Sequence, residues 1–149
     1  MAHVRQQLRE RAASTLGSLT TTGSKVYQSR VYPLATSNLP GLLIYTRSED
    51  SQPETMGAAS TRLIQRNLSL VVEGYVKAVS NYDDTVDTIA EEVETAMGND
   101  RTLNGLAKDS YLISTEINYD GEGDKPVAAV TMTYLVEYMT IENAPGSAV

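Results

Sequence analysis

The sequence lacks the residues on which several kinds of chemistry depend. It contains no cysteine, which excludes disulfide frameworks, zinc ribbons and thiol nucleophiles. Its one histidine, His3, stands near the start of the chain, so we expect no histidine-based catalysis or metal binding. Phenylalanine and tryptophan are missing too, and nine tyrosines supply all the aromatic surface. Because a buried tyrosine needs a partner for its hydroxyl, we expect many of the nine at edges or interfaces.

Long hydrophobic runs are also missing. No stretch approaches the roughly 20 apolar residues of a membrane span, and the basic start of the chain lacks the apolar core of a signal peptide. We therefore expect no membrane partner and a chain made in the cytoplasm. The length of 149 residues predicts a single domain over residues 1–149, large enough to bury a core without disulfides.

The net charge of −7 is unevenly distributed along the chain. Residues 1–40 hold five basic residues and one acidic residue, whereas the other 109 hold seven basic and eighteen acidic ones. This asymmetry fits two interpretations equally well: ordinary solubility charge, or a basic surface of one subunit that meets an acidic surface of the next. The overall acidity argues against tight binding of nucleic acid, which needs a basic surface.

Hydrophobic periodicity predicts an α+β domain: a mostly antiparallel sheet with two main helices packed on it and a projecting hairpin arm. The first helix covers residues 3–19. The second is an acidic helix over residues 81–97, with Asn81 as its cap and Asp84 in the first turn. Alternation predicts strands over residues 25–32, 42–47, 61–79, 111–119 and 127–141. We expect residues 142–149 to be a poorly ordered tail.

The strand at residues 61–79 is unusually long. At about 3.3 Å per residue it would span about 60 Å, so we expect a bend near Gly74. Before it, residues 48–60 are polar, contain Pro53 and Gly57, and show no periodicity. We predict that this loop, the strand at 42–47 and the first half of the long strand form the projecting arm.

The arm contains the candidate residues for contact with a neighbouring subunit. Arg62 and Arg66 share one face of the long strand, and the loop before it is acidic. The alternative is local charge pairing within the arm. The candidates are Glu49, Asp50, Glu54, Met56, Arg62 and Arg66.

The acidic helix is the remaining place to look for chemistry. Asp83, Asp87 and Glu91 stand four residues apart, a spacing that could hold a hard cation or supply a general acid and base. No histidine or nucleophile accompanies them, so a solvated acidic surface is the simpler interpretation. We predict no enzyme activity, no cofactor and no metal site. A small metal-dependent enzyme built on these three acids remains a remote alternative. The candidate acidic surface, which would face solvent or a basic partner, consists of Asp84, Asp87, Glu91 and Glu94.

The order of these stretches resembles the tail terminator proteins of long non-contractile-tailed bacteriophages, the group that includes the lambda tail terminator. The resemblance covers about residues 4–141 and includes no catalytic motif. It is carried by the N-terminal helix VRQQLRERAASTL, the stretches VYQSRVYPL, LPGLLIYT and RNLSLVVEGYVK, the long loop between the last two, the acidic helix DDTVDTIAEEVETAM and the closing strand VAAVTMTYLVEYMT.

The resemblance implies a structural virion protein and a homo-oligomer, a hexameric ring. The ring would cap the head-proximal end of the tail tube, stop polymerisation of the major tail tube protein and present a surface to the head-completion proteins. DNA would pass through the lumen without sequence-specific binding, and assembly would take place in the host cytoplasm. The alternative within the same class is another tail or neck protein, either a tube subunit or a head–tail joining protein.

Overall fold

The computed structural model describes residues 2–28, 39–58, 60–77, 81–120 and 127–149. It shows an α+β fold, as predicted: two helices and one six-stranded, mostly antiparallel sheet. The helices are α1 (Val4–Thr15) and α2 (Tyr82–Gly98). The strands are β1 (Val26–Tyr27), β2 (Gly41–Pro53), β3 (Leu63–Lys77), β4 (Asp109–Asp120), β5 (Val127–Ile141) and β6 (Ala144–Ala148). Within the described residues, no helix is both long enough and apolar enough to cross a membrane.

The sheet has the strand order β1-β2-β3-β5-β4, with β6 also paired to β5. All pairs are antiparallel except β1 with β2, which is parallel and joins only two residues of each strand. Both helices pack on one side of the sheet: α1 contacts β2, and α2 contacts β3 and β5. The edge strand β4 therefore lies beyond the two strands that α2 covers.

The core forms where the apolar faces of the strands, which repeat every two residues, meet the apolar stripe of a helix, which repeats every three to four residues. On β3 and β5 the even-numbered residues point toward the helices, and Leu68, Leu70, Val136 and Tyr138 are buried there. From α2, an apolar stripe at helical spacing packs on these strands: Val86, Ile89, Val93 and Met97. The acidic side chains of α2 point elsewhere, so this packing has to stabilise the helix.

Gly74 is the point of closest approach between sheet and helix. A Cβ atom at this position would stand 2.9 Å from Cγ2 of Ile89 and 3.1 Å from Cγ1 of Val130. The register of β3 with β5 is unbroken through Gly74, where we expected a bend. The register shifts at other places, with a bulge in β2 between Thr46 and Ser48 and another in β4 between Leu112 and Ser114.

Three sequence predictions need correction. Strand β2 continues to Pro53, so residues 48–53 are not loop; their backbone pairs with β3 although their side chains are polar and mostly exposed. The chain end is not a poorly ordered tail, because β6 pairs with β5 and Val149 N donates a hydrogen bond to Met139 O at 3.0 Å. Asn81 precedes α2, but its side chain makes no capping hydrogen bond.

The other boundaries agree with the sequence predictions to within a few residues. The strand at 127–141 is confirmed at both ends, and α1 ends at Thr15 rather than at residue 19. Asp83 and Asp84 occupy the first turn of α2, where the helix dipole favours acids. Of the strand predicted over residues 25–32, positions 29–32 lie outside the described residues, as do 78–79 of the strand predicted over residues 61–79.

Candidate interaction surfaces

The far end of the β2–β3 hairpin is the most exposed part of the predicted arm. Residues 51–58 are all exposed, and Met56 is 91% exposed. The turn is nevertheless ordered by hydrogen bonds: Glu54 N donates to Leu63 O at 2.8 Å, and Leu63 N donates to Thr55 Oγ1 at 2.9 Å. A single exposed apolar side chain is ordinary on a protein surface, so Met56 is accessible for contact but does not mark a contact surface by itself.

Two of the six arm candidates, Glu49 and Arg66, are instead paired with each other inside the molecule. The Glu49 side chain is 8% exposed, and its Oε2 lies 2.8 Å from Arg5 Nη1 and 3.2 Å from Arg66 Nη1. Its other oxygen accepts a hydrogen bond from the hydroxyl of Tyr138, which is fully buried. Arg66 Nε also donates to Thr140 Oγ1 at 3.1 Å. This Glu49 cluster ties the start of α1 to the base of the hairpin.

The remaining arm candidates are accessible. Asp50, Glu54 and Met56 are exposed, and Arg62 is partly exposed. The Arg62 guanidinium donates from Nη2 to Gly57 O at 3.0 Å, and its Nε lies 3.1 Å from Glu142 Oε2. Local charge pairing, the alternative interpretation, therefore holds for Arg62 and for the Glu49 cluster. It leaves Asp50, Glu54 and Met56 free to meet another molecule.

The N-terminus of α1 lies against the Glu49 cluster. His3 caps this helix, its Nδ1 accepting a hydrogen bond from Arg5 N at 3.0 Å. Burial lowers the pKa of His3 below its usual 6.5, and the nearby charges of Arg5 and Arg66 lower it further, against an opposing effect of Glu49. The lowered pKa favours the neutral imidazole, which can accept the hydrogen bond from Arg5 N.

A second ion pair fixes the other end of α1. Arg11 Nε lies 2.9 Å from Asp100 Oδ2, and Thr15 Oγ1 donates to the same oxygen at 2.8 Å. Burial alone would raise the pKa of Asp100, but the hydrogen bonds from Thr15, Arg11 and the backbone of Asn104 bring it below its usual value. The ion pair therefore joins α1 to the segment that follows α2, in addition to the apolar packing of the two helices in the core.

The predicted acidic surface of α2 is exposed at all four positions, Asp84, Asp87, Glu91 and Glu94. Glu92 is different, because its Oε1 accepts a hydrogen bond from Thr21 N at 2.9 Å and its Oε2 one from Thr21 Oγ1 at 2.5 Å. Across the part of the chain that the structure describes, no three acidic or histidine side chains come together in a way that could hold a metal ion. Asp83, Asp87 and Glu91 instead follow one another along the open side of the helix.

The sequence predictions missed the exposed surface of β4. This strand was predicted from its alternation, but it lies at the edge of the sheet, and its side chains from 113 to 119 are all exposed. Ile117 is 52% exposed and Tyr119 is 57% exposed. Alternation identifies an apolar face on a strand, but it cannot show whether another element covers that face.

No protein-family model matches this chain, and no curated protein matches it either.

Proposed function

We propose that this chain is a structural subunit of a phage tail, of the tail terminator kind. It would form a closed homo-oligomeric ring, expected to be a hexamer, on the head-proximal end of the tail tube. There it would stop the major tail tube protein from polymerising further and present a joining surface to the head-completion protein. The order of helices and strands that resembles the tail terminators motivates the proposal.

The observation that carries the association part of the proposal is the edge strand β4, whose outer edge pairs with no other described strand. It has 12 residues, and exposed apolar side chains project from it. Edge strands with exposed apolar side chains invite pairing with another chain, and β4 keeps Ile113, Ile117 and Tyr119 exposed although it also carries Glu116 and a bulge between Leu112 and Ser114. A ring is one closed assembly in which such an edge can be covered in every subunit.

In this proposal the exposed acids of α2 belong to a ring or lumen surface: Asp84, Asp87, Glu91 and Glu94. Those that no contact between subunits covers, Asp84 and Glu91 above all, would present their charge to whatever passes near the helix. A negative lumen repels the phosphates of DNA and would let the duplex move through without sticking. The protein would therefore bind DNA without sequence specificity or not at all, and it would reside in the virion tail after assembly in the host cytoplasm.

A tube subunit or a head–tail joining protein is the second candidate, because a free strand edge also serves open polymers. Electron microscopy of the purified chain separates the two. The terminator proposal predicts closed single rings of one diameter. Open tubes of variable length would contradict it and favour a tube subunit, since a head-to-tail contact that fails to close by rotation generates filaments.

The exposed end of the hairpin can be tested by deletion. Removing residues 52–59 is expected to leave a folded chain that no longer caps tubes or closes rings, because Glu54 and Met56 lose their positions for contact. The control is the single substitution Thr88→Ser on the exposed side of α2, which should leave rings unchanged. Rings and capping that survive the deletion would exclude the hairpin end from the contact.

A further inference from the structure

The uncovered side of β4 forms an apolar ledge beside α2. Directly opposite residues in an antiparallel pair share a face, so Ile117 lies on the same side as buried Val130, and Tyr119 on the same side as buried Ala128. Both nevertheless stay half-exposed. The ring of Tyr119 stacks on Tyr82 of α2 with centroids 5.3 Å apart. Thr115, Ile117 and Tyr119 make up this β4 ledge.

No described strand pairs with the backbone of β4 along the outer side of the ledge. Among the described strands, β5 is the one that pairs with β4, and it takes one edge of it. At about 3.4 Å per residue, the 12 residues offer an edge about 40 Å long. The ledge thus combines apolar side chains with a row of free backbone donors and acceptors, a combination that favours contact with another polypeptide over contact with a small molecule.

An acidic stripe borders the ledge on its helix side. Asp83, Asp87 and Glu94 are exposed and lie within an arc of about 40° around α2, given 3.6 residues per turn. The arc faces β4, because Glu94 lines a surface cavity of about 210 Å³ together with Tyr111 and Leu112 of that strand. None of the three acids of the stripe forms an ion pair within the described part of the chain.

The opposite edge of the molecule carries the complementary charge. Strand β1 covers two residues of β2, and beyond them the bulge of β2 presents exposed Arg47. Arg47 and Arg5 of α1 line one cavity, while Arg9 reaches Gln28, next to β1, and Lys25 precedes β1. Arg9, Lys25 and Arg47 form no ion pair with any described residue, and we call these three the basic flank.

We propose that the β4 ledge and its acidic stripe bind the basic flank of a second copy of this chain. This inference rests on the proposed ring, for which it names the contact. A two-fold contact of ledge with ledge would bring the acidic stripes of two copies together, which costs free energy. A head-to-tail contact brings opposite charges together and leaves each copy with one free ledge and one free flank, so that further copies add until the ring closes.

Charge exchange across the contact tests this arrangement. One variant carries Asp87→Lys and Glu94→Lys in the stripe, and the other carries Lys25→Glu and Arg47→Glu in the flank. In each variant on its own, the stripe and the flank carry charge of the same sign and repel each other across the contact. Its association, measured by sedimentation velocity, should therefore weaken at least about tenfold. An equimolar mixture of the two variants should associate again, because each stripe then meets a flank of opposite charge.

The matched control is Asp84→Lys with Glu91→Lys, which makes the same charge change about 70° farther around α2, on the side opposite its buried stripe. It should associate as the unmodified chain does. The contact is assigned wrongly if this control and the stripe variant behave alike, if the mixture fails to recover, or if the unmodified chain stays monomeric at its highest soluble concentration.

Electron microscopy of the same samples separates this inference from the proposed function. Rings that persist in the stripe variant would overturn the assigned contact and leave the ring proposal standing. Open filaments that dissolve in the stripe variant would support the contact and contradict the terminator function.

Discussion

Glu49 and Arg66 stand 17 positions apart in the chain, and their side chains meet 3.2 Å apart beneath α1. Both are mostly buried, and Tyr138 and Arg5 complete the partners of the carboxylate. The hairpin formed by β2 and β3 is therefore joined at its base to the first helix through one carboxylate. Its far end, which carries the contact residues proposed above, projects from a fixed point.

Replacing Glu49 by Gln should destabilise the fold, because it leaves the buried Arg66 without its counter-charge. Breaking a buried ion pair in this way costs about 3 kcal/mol in the free energy of unfolding. Asp50→Asn changes the same charge at an exposed position and should cost less than about 0.5 kcal/mol. Urea denaturation of both variants measures the difference; equal losses would mean that the cluster contributes nothing.

Gly74→Ala should also destabilise the fold, by about 1–3 kcal/mol, because the added methyl meets Ile89 and Val130 at less than van der Waals separation. Gly98→Ala is the control, since its Cβ would meet no atom within 4 Å and alanine favours the helix end. Adding Ile89→Leu to Gly74→Ala removes the nearer methyl and should recover part of the loss in thermal unfolding. Absence of any recovery would point to backbone strain instead.

The lowered pKa of His3 predicts a pH dependence. The folded chain takes up this proton less readily than the unfolded chain, so the contribution of His3 is complete above pH 6.5 and is lost as the pH falls below it. The urea midpoint of the wild type should therefore drop more between about pH 7.5 and pH 5.5 than that of His3→Asn, which retains a capping side chain. Parallel pH profiles of the two proteins would refute the linkage.

Deletion of residues 144–149 should destabilise the protein. From the sequence, the small residues of this segment and its position at the chain end indicate a dispensable tail, so the deletion separates the two expectations. β6 pairs with β5, Gln7 Nε2 donates to Gly146 O at 2.9 Å, and Ala148 packs against the core. Loss of a few hydrogen bonds at about 1 kcal/mol each predicts a drop of about 1–3 kcal/mol in the free energy of unfolding. An unchanged melting temperature would show that the segment contributes little.

The sequence predicted the elements with strong periodicity and missed those whose structure depends on a neighbour. The bounds of β5 and the apolar stripe of α2 follow from spacing alone. The polar half of β2 has no pattern of its own and becomes a strand because β3 lies beside it. β6 likewise forms on β5 from small residues with weak strand preference.

The candidate surfaces show the same division. Exposed acids on α2 were predictable, because charges at those helical positions point away from an apolar stripe. The burial of Glu49 was not, because its partners Arg5 and Tyr138 are distant in the chain. The β4 ledge was not either, because the sequence does not give the order of strands in a sheet.

The central claim is a closed ring of identical subunits, and the mass of the native assembly tests it most directly. Native mass spectrometry of the unmodified chain should give one discrete oligomer, and for a hexamer of 16.2 kDa subunits a mass of about 97 kDa. A ladder of masses that grows with concentration would show an open polymer and contradict the account. A monomer at every concentration would contradict it as well.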